Sequence, residues 1–329
     1  MNAANQTSAL VVTRNGGSEV LELQSRTVAD PAPGQLLIEV AAAGVNFIEV
    51  YQRQGIYPIP TPFVPCGEGA GTVRAVGDGV TSFQPGDRVA WAQGSASAAG
   101  LTLLPAEVAV SVPAGLDLEL AGAAMLQGMT AHYLVNSTYP VQAGDPVLIH
   151  AAAGGVGQLL IQLAKAKGAT VIGTASTEAK LAKARALGAD HLINYSEVTD
   201  VAGAVRELTG GAGVAVVYDG VGKSTFEASL ASLRPRGMLV LFGGASGQVP
   251  PFDLQRLNQA GSLFVTRPTM VHYLASRDEL EWRAGDVLGM LAAGTLQLEI
   301  GGRYPLAEAA RAYDDLEQRR STGKLLLIP

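Results

Sequence analysis

The chain has 329 residues and a mass of 33.8 kDa, enough for two domains and for a core that needs no disulfide or metal. Its 23 basic and 29 acidic residues leave a net charge of −6, which argues against a broad basic surface and so against nucleic acid as a partner. A single cysteine, Cys66, excludes an internal disulfide and a multi-cysteine zinc lobe. The first ten residues carry no basic region followed by an apolar run, so no secretory signal is read there, and a reducing cytoplasm is the expected compartment.

Residues 8 to about 125 read as β-rich. Short apolar runs at 9–13, 20–23, 36–40, 70–76 and 88–91 alternate with turn formers such as Asn15-Gly16-Gly17, Gly77-Asp78-Gly79 and Pro85-Gly86-Asp87. That spacing predicts a compact, partly closed β-structure. From about residue 127 the period changes. Strands are expected at 147–151, 170–174, 191–194, 214–219 and 238–242, with helices at 156–164, 178–187, 201–209 and 224–233 between them. Alternation of this kind predicts a parallel sheet with helices on both faces, an α/β fold. The tail offers helices at 282–293 and 306–318 and a last strand at 324–328. Residues 147–164 carry no formal charge and are long enough to span a bilayer, but His150, two glutamines and three glycines break the run. They read as strand, turn and helix.

The strongest motif is His150-Ala151-Ala152-Ala153-Gly154-Gly155-Val156-Gly157. Gly154 and Gly157 match the second and third glycines of the dinucleotide fingerprint, and Ala152 stands at the first. Gly154 lets backbone approach a pyrophosphate, Gly157 lets helix and strand pack closely, and the helix start offers free N–H groups to the anion. The motif follows an expected strand and opens an amphipathic helix, which is the context it requires. Folds that bind NAD place an acid near the end of the second strand to hold the ribose 2′-hydroxyl. Here that strand ends Thr174-Ala175-Ser176-Thr177, and Glu178 already falls in the next helix. Ser176, Lys180 and Tyr195 can reach a 2′-phosphate, and no acid repels one. NADPH is therefore the expected cofactor.

Ala41-Ala42-Ala43-Gly44-Val45-Asn46-Phe47-Ile48-Glu49-Val50-Tyr51, followed by Gly55-Ile56-Tyr57-Pro58, resembles the zinc-free quinone oxidoreductases, the zeta-crystallin-like branch of the medium-chain dehydrogenase/reductase superfamily. Matching pieces run the length of the chain: Pro85-Gly86-Asp87-Arg88-Val89, the glycine motif, Leu187-Gly188-Ala189-Asp190, Tyr218-Asp219-Gly220-Val221-Gly222, Val265-Thr266-Arg267-Pro268 and the closing LLLIP. The resemblance implies a GroES-like domain from residues 1–126 and 267–329 and a Rossmann domain from 127–266, with the active cleft between them. It also implies dimers or tetramers.

Zinc-dependent members bind the metal through a cysteine, a histidine and a further ligand. Asn46 stands at the cysteine position and Gly67 at the histidine, so no metal site is expected. By the same resemblance Gly155 and Val156 meet the pyrophosphate, Ser176, Lys180 and Tyr195 take the 2′-phosphate, and Tyr133 lies near the cofactor chain. Gly220 and the turn Phe242-Gly243-Gly244 pass close to its two ends, and Arg267 and Arg319 are basic contacts from the tail. Asn46 and Tyr51 line the nicotinamide side. Gln127 stands where a lysine is common, and Gly243-Gly244-Ala245 is less polar than the usual turn, so pocket polarity is expected to differ.

Without zinc, the oxygen that gains charge during reduction needs hydrogen-bond donors, and Tyr51 and Asn46 are the candidates. The expected activity is NADPH-dependent reduction of a quinone. Reduction of an enone or 2-alkenal is the alternative, since it needs the same cofactor and an equally polarised carbonyl. A non-catalytic, crystallin-like or RNA-binding role is a further reading that the negative charge disfavours.

Overall fold

The computed structural model describes residues 5–318 and 320–329. Among them, fifteen strands run in chain order: β1 (Asn5–Val12), β2 (Leu21–Val28), β3 (Gln35–Val45), β4 (Gly69–Val76), β5 (Arg88–Trp91), β6 (Leu101–Pro105), β7 (Val110–Ser111), β8 (Pro146–Ile149), β9 (Thr170–Ala175), β10 (His191–Asn194), β11 (Val214–Asp219), β12 (Leu233–Leu241), β13 (Phe264–Thr266), β14 (Ile300–Pro305) and β15 (Lys324–Ile328). The chain divides into two compact units. One holds the residues up to Met129 together with Leu274–Pro329, and the other holds Thr130–Tyr273.

The first unit is built on a seven-stranded sheet. Six strands follow the order β14-β15-β3-β4-β5-β7, and β6 pairs with β3 off that path. The β1–β2 ribbon pairs separately. Leu36, Ile38, Val73, Val89, Trp91 and Leu104 fill one core of this unit. The Trp91 indole is fully buried, and its one donor is satisfied by Ser97 Oγ at 2.9 Å. Strand β15 comes from the far end of the chain and lies antiparallel to β3, with Leu326 opposite Gly44. This pairing brings residues near 324 to those near 46, a proximity that sequence separation hides.

The second unit has a six-stranded parallel sheet in the order β10-β9-β8-β11-β12-β13. Renumbered within the unit, the order is 3-2-1-4-5-6, that of the dinucleotide-binding Rossmann sheet. Chain direction across the sheet reverses between β8 and β11, and such sheets take ligands outside the carboxyl ends of the strands at that point. Leu148, Ile172, Ile193, Val217 and Leu239, one from each of the first five strands, lie in one buried cluster. The central strands β8, β9 and β11 are buried on both faces, as parallel strands between helices require. The uncharged stretch at 147–164 is divided among β8, a turn and the helix Gly155–Ala166, and among the described residues no helix is long and apolar enough to cross a membrane.

Candidate active site

The glycine motif forms the turn between β8 and the helix Gly155–Ala166. Ala151 takes a left-handed φ of 51°, and Gly154 N–H closes the turn on Ala151 O at 2.8 Å. Gly154 is the extended residue before the helix, and no side chain caps the first turn. The first intrahelical bond runs from Gln158 N–H to Gly154 O at 2.9 Å, so the amides of Gly155, Val156 and Gly157 face outward at the positive end of the helix dipole. A Cβ on Gly157 would lie 2.4 Å from Ala151 O. Only a hydrogen at that position lets the helix sit so close to the turn. Behind it, buried His150 meets Thr174 Oγ1 through Nδ1 at 2.9 Å and ties the ends of β8 and β9 together. Burial lowers the His150 pKa, and the nearby Asp219 carboxylate opposes the shift.

Ser176 follows β9 and Tyr195 follows β10, whose last pairing is Asn194 with Ala175, so the two residues stand at adjacent strand ends. Ser196 Oγ donates to Ser176 O at 3.0 Å. Thr177 caps the next helix by accepting from Lys180 N–H at 3.4 Å. Glu178 is the first helical residue, with Oε1 3.4 Å from Asn194 Nδ2. At the carboxyl ends of β11 and β12, Phe242 and Gly243 donate N–H to Asp219 O at 2.9 and 3.3 Å, and Ala245 N–H reaches Gly220 O at 3.2 Å. The loops after β11 and β12 therefore interlock, with Gly244 in the turn between those bonds. Arg267 is exposed just past β13. Tyr133 is buried, and its ring stacks on Tyr273 at 4.3 Å and 8°, so the ring expected near the cofactor chain is engaged inside its own unit. Arg319 lies outside the described residues.

A different kind of site surrounds Asn46, which precedes the helix Phe47–Arg53. Asn46 is 4% exposed and Glu68 and Lys324 still less. Lys324 Nζ donates to Asn46 Oδ1 at 2.6 Å and to Glu68 Oε1. Asn46 Nδ2 donates to Glu68 Oε1 at 2.9 Å and toward Gly44 O at 3.4 Å. An ammonium only donates and a carboxylate only accepts, so the amide can face just one way. Gln127 Nε2 approaches Asn46 Oδ1 at 3.5 Å. Glu49 Oε2 accepts the Asn46 backbone N–H at 2.5 Å, half of a capping box. Burial raises the Glu49 pKa to about 8, an effect larger than the opposing pull of the Asn46 N–H and the Lys324 charge.

Tyr51 sits on the same short helix, half-buried, with the Phe47 and Tyr57 rings 6.0 and 5.4 Å away. Asn46, expected to donate to a substrate oxygen, is placed here among partners within the protein. Both N–H directions of its amide point at acceptors within the protein, Glu68 Oε1 and Gly44 O. Lys324 is the residue that sequence reading missed. Its one signal is a charge opening the apolar strand KLLLI.

Fold and glycine turn together define a dinucleotide-binding oxidoreductase of two domains. A family model for the alcohol dehydrogenase GroES-like domain matches residues 32–141, and one for zinc-binding dehydrogenases matches 155–284. The chain is 46% identical to a quinone oxidoreductase of Pseudomonas aeruginosa over 95% of this chain and 97% of that protein. It is 44% identical to a 2-haloacrylate reductase of a Burkholderia species, over 98% of each. The structure of Escherichia coli quinone oxidoreductase complexed with NADPH superposes with a TM-score of 0.95 at 41% identity, covering 98% of this chain and all of that one. The chain belongs to the quinone oxidoreductases of the medium-chain dehydrogenase/reductase superfamily.

The name of the second family model raises the question of zinc, and the donors at the corresponding place do not fit that ion. The Lys324 ammonium already lies against Asn46 and Glu68, where a dication would be repelled. The Cys66 Sγ faces Tyr313 OH at 3.5 Å, and burial, with the Glu49 charge adding to it, pushes the thiol pKa up, away from the thiolate that zinc takes.

Proposed function

We propose that this chain is an NADPH-dependent quinone reductase that works without a metal. The observation that carries the reading is the pairing of an uncapped glycine-turn helix start with an acid-free end of β9. The first suits a pyrophosphate, and the second suits a ribose carrying a 2′-phosphate. When bound, the nicotinamide supplies the hydride.

The chain's part is binding and orientation. Gly154, Gly155, Val156 and Gly157 hold the pyrophosphate, and Ser176, Lys180 and Tyr195 take the 2′-phosphate. Gly220, Phe242, Gly243 and Gly244 shape the loops beside the cofactor, with Arg267 a further basic contact. Tyr51 donates its hydroxyl to the substrate oxygen that gains negative charge as the hydride arrives. Asn46 fixes the start of the Tyr51 helix.

The 2-haloacrylate reductase relative supports a second reading, in which the acceptor is an activated carbon–carbon double bond. NADPH oxidation against a panel of benzoquinones, naphthoquinones, 2-alkenals and 2-chloroacrylate decides between them. Quinone turnover alone is the expected result, and acrylate or enal turnover in its place would exchange the two readings. The chain acts as a cytoplasmic homo-oligomer in this proposal. Strand β13 ends the parallel sheet with Phe264 and Val265 exposed, an unpaired edge suited to a second copy. Sedimentation of Val265→Lys as a monomer would support that assembly, and an unchanged oligomer would move it elsewhere.

A further inference from the structure

Lys324 opens the last strand, 2% exposed, and among the described residues its ammonium is the positive charge that the Asn46 cluster contacts directly. Removing an ammonium and a carboxylate from water costs about what their mutual attraction returns, so such a pair is weak as a source of stability. What the pair does supply is position. Glu68 is itself held by Leu126 N–H at 2.5 Å. Gly44 leaves the space the carboxylate fills, since a Cβ there would lie 1.9 Å from Glu68 Oε1. Glu68 thus anchors Lys324, and Lys324 holds Asn46 Oδ1 at 2.6 Å. Asn46 opens the helix on which Tyr51 stands, with its own N–H held by Glu49.

We propose that Lys324 is a positioning residue for hydride transfer: its ammonium, braced on Glu68, fixes the Asn46 side chain and through it the first turn of the helix that carries Tyr51. The inference rests on the quinone reductase reading and on Tyr51 as donor. Loss of positioning on the scale of 1 Å has cost about 10²-fold in rate elsewhere.

The test separates position from charge balance. Lys324→Met alone leaves Glu68 buried and unpaired, and its thermal midpoint falls. Adding Glu68→Gln removes that charge and keeps an oxygen for Leu126 N–H, while its new NH2 faces Asn46, whose amide, released by Lys324, turns to present Oδ1 to it, so the double variant recovers the midpoint. Its single-turnover hydride transfer to benzoquinone at saturating NADPH should still be slower by roughly 10- to 100-fold. Its NADPH dissociation constant and quinone KM should stay within about threefold of wild type, because Lys324 is not assigned to either ligand. A double variant with a wild-type midpoint and a rate within threefold of wild type overturns the proposal.

Should the double variant not fold, Lys324→Arg carries the same decision. The guanidinium fork takes a carboxylate through two bonds and withdraws from Asn46. A rate loss beyond threefold at an unchanged midpoint is expected, and a smaller loss overturns the proposal. Failure of the functional reading shows differently, as a wild-type chain that does not oxidise NADPH with quinones.

Discussion

Between Ile149 and the helix Gly155–Ala166 the protein presents little but backbone: alanines, glycines and outward-facing amides. Around Asn46 it packs two carboxyl groups, an ammonium and two side-chain amides into a space almost closed to water. Both regions prepare polar contacts, but for different tasks. The turn must let a large anion come close, so it is made by leaving side chains out. The Asn46 cluster must hold one short helix still, so it is made by tying side chains to each other. The turn depends on space and its failure is steric, while the cluster depends on charge balance and its failure is electrostatic.

Steric failure is the larger effect. In Gly157→Val the new side chain meets Ala151 O and the Ala152 backbone, neither of which yields as a side-chain tip would. The helix start must move away from the turn. NADPH affinity is expected to fall by about 100-fold or more, and the overpacking costs on the order of 1–3 kcal/mol of stability. Fluorescence titration with NADPH measures the first and thermal unfolding the second. Binding within tenfold of wild type would mean that the turn does not carry the cofactor.

The cluster side of the comparison is tested through the group it supports. Tyr51→Phe keeps the ring contacts with Phe47 and Tyr57 and removes only the hydroxyl. Loss of one donor to a developing oxyanion has cost about 10²-fold or more elsewhere, and quinones, being good acceptors, should lose less. Rapid-mixing reduction of a benzoquinone at saturating NADPH is expected to slow by tenfold or more while NADPH affinity holds. An unchanged rate, with hydride transfer as the slow step, would reduce Tyr51 to a wall of the pocket.

The two regions also differ in what the sequence discloses. The turn lies within eight consecutive residues, and each glycine answers a local steric demand. The strand before it and the amphipathic helix after it could therefore be read together with it. The Asn46 cluster draws on residues 46, 49, 68, 127 and 324, and only the β15–β3 pairing makes the last of these a neighbour of the first. No local pattern marks Lys324, because a lysine at the end of a strand is ordinarily solvated. The same limit applies to the fold. Periodicity marked the alternating strands and helices from β8 to β12. The short Phe47–Arg53 helix escaped it, being set by a capping acid and by tertiary packing rather than by a long amphipathic stripe. The partners of the Asn46 amide likewise come from distant positions, so no local pattern discloses them.

A smaller effect lies at the rim of the turn's own unit. Lys180 is half-buried one turn into its helix, near the acid-free end of β9. Lys180→Ala is expected to weaken NADPH binding about tenfold and NADH binding little, since only the former carries the 2′-phosphate. A charge-assisted bond to such an anion contributes about 1.5–3 kcal/mol, less where water screens it. Equal losses for both cofactors in parallel titrations would place the lysine's contribution elsewhere.

The smallest effect is a pH dependence of stability that belongs to the cluster alone. Glu49 titrates near pH 8 in the folded chain because burial disfavours its charge, and near 4.5 when unfolded. Between those values the native state holds a proton that the unfolded state has released, so stability falls as pH rises through that window. Between pH 6 and pH 8 the loss amounts to about 2 kcal/mol from this one group. Lys324 and the Asn46 N–H pull the other way by favouring the carboxylate, and Glu68 adds to the rise. Glu49→Gln keeps an oxygen for the Asn46 N–H and cannot ionise, so the variant should lose most of this slope. Thermal midpoints of wild type and variant, measured side by side at pH 6, 7 and 8, are expected to converge toward low pH and separate toward pH 8, with the variant higher. Parallel midpoints across the series would mean that Glu49 changes its protonation little on unfolding, and the cluster would then hold both carboxylates charged around a single lysine.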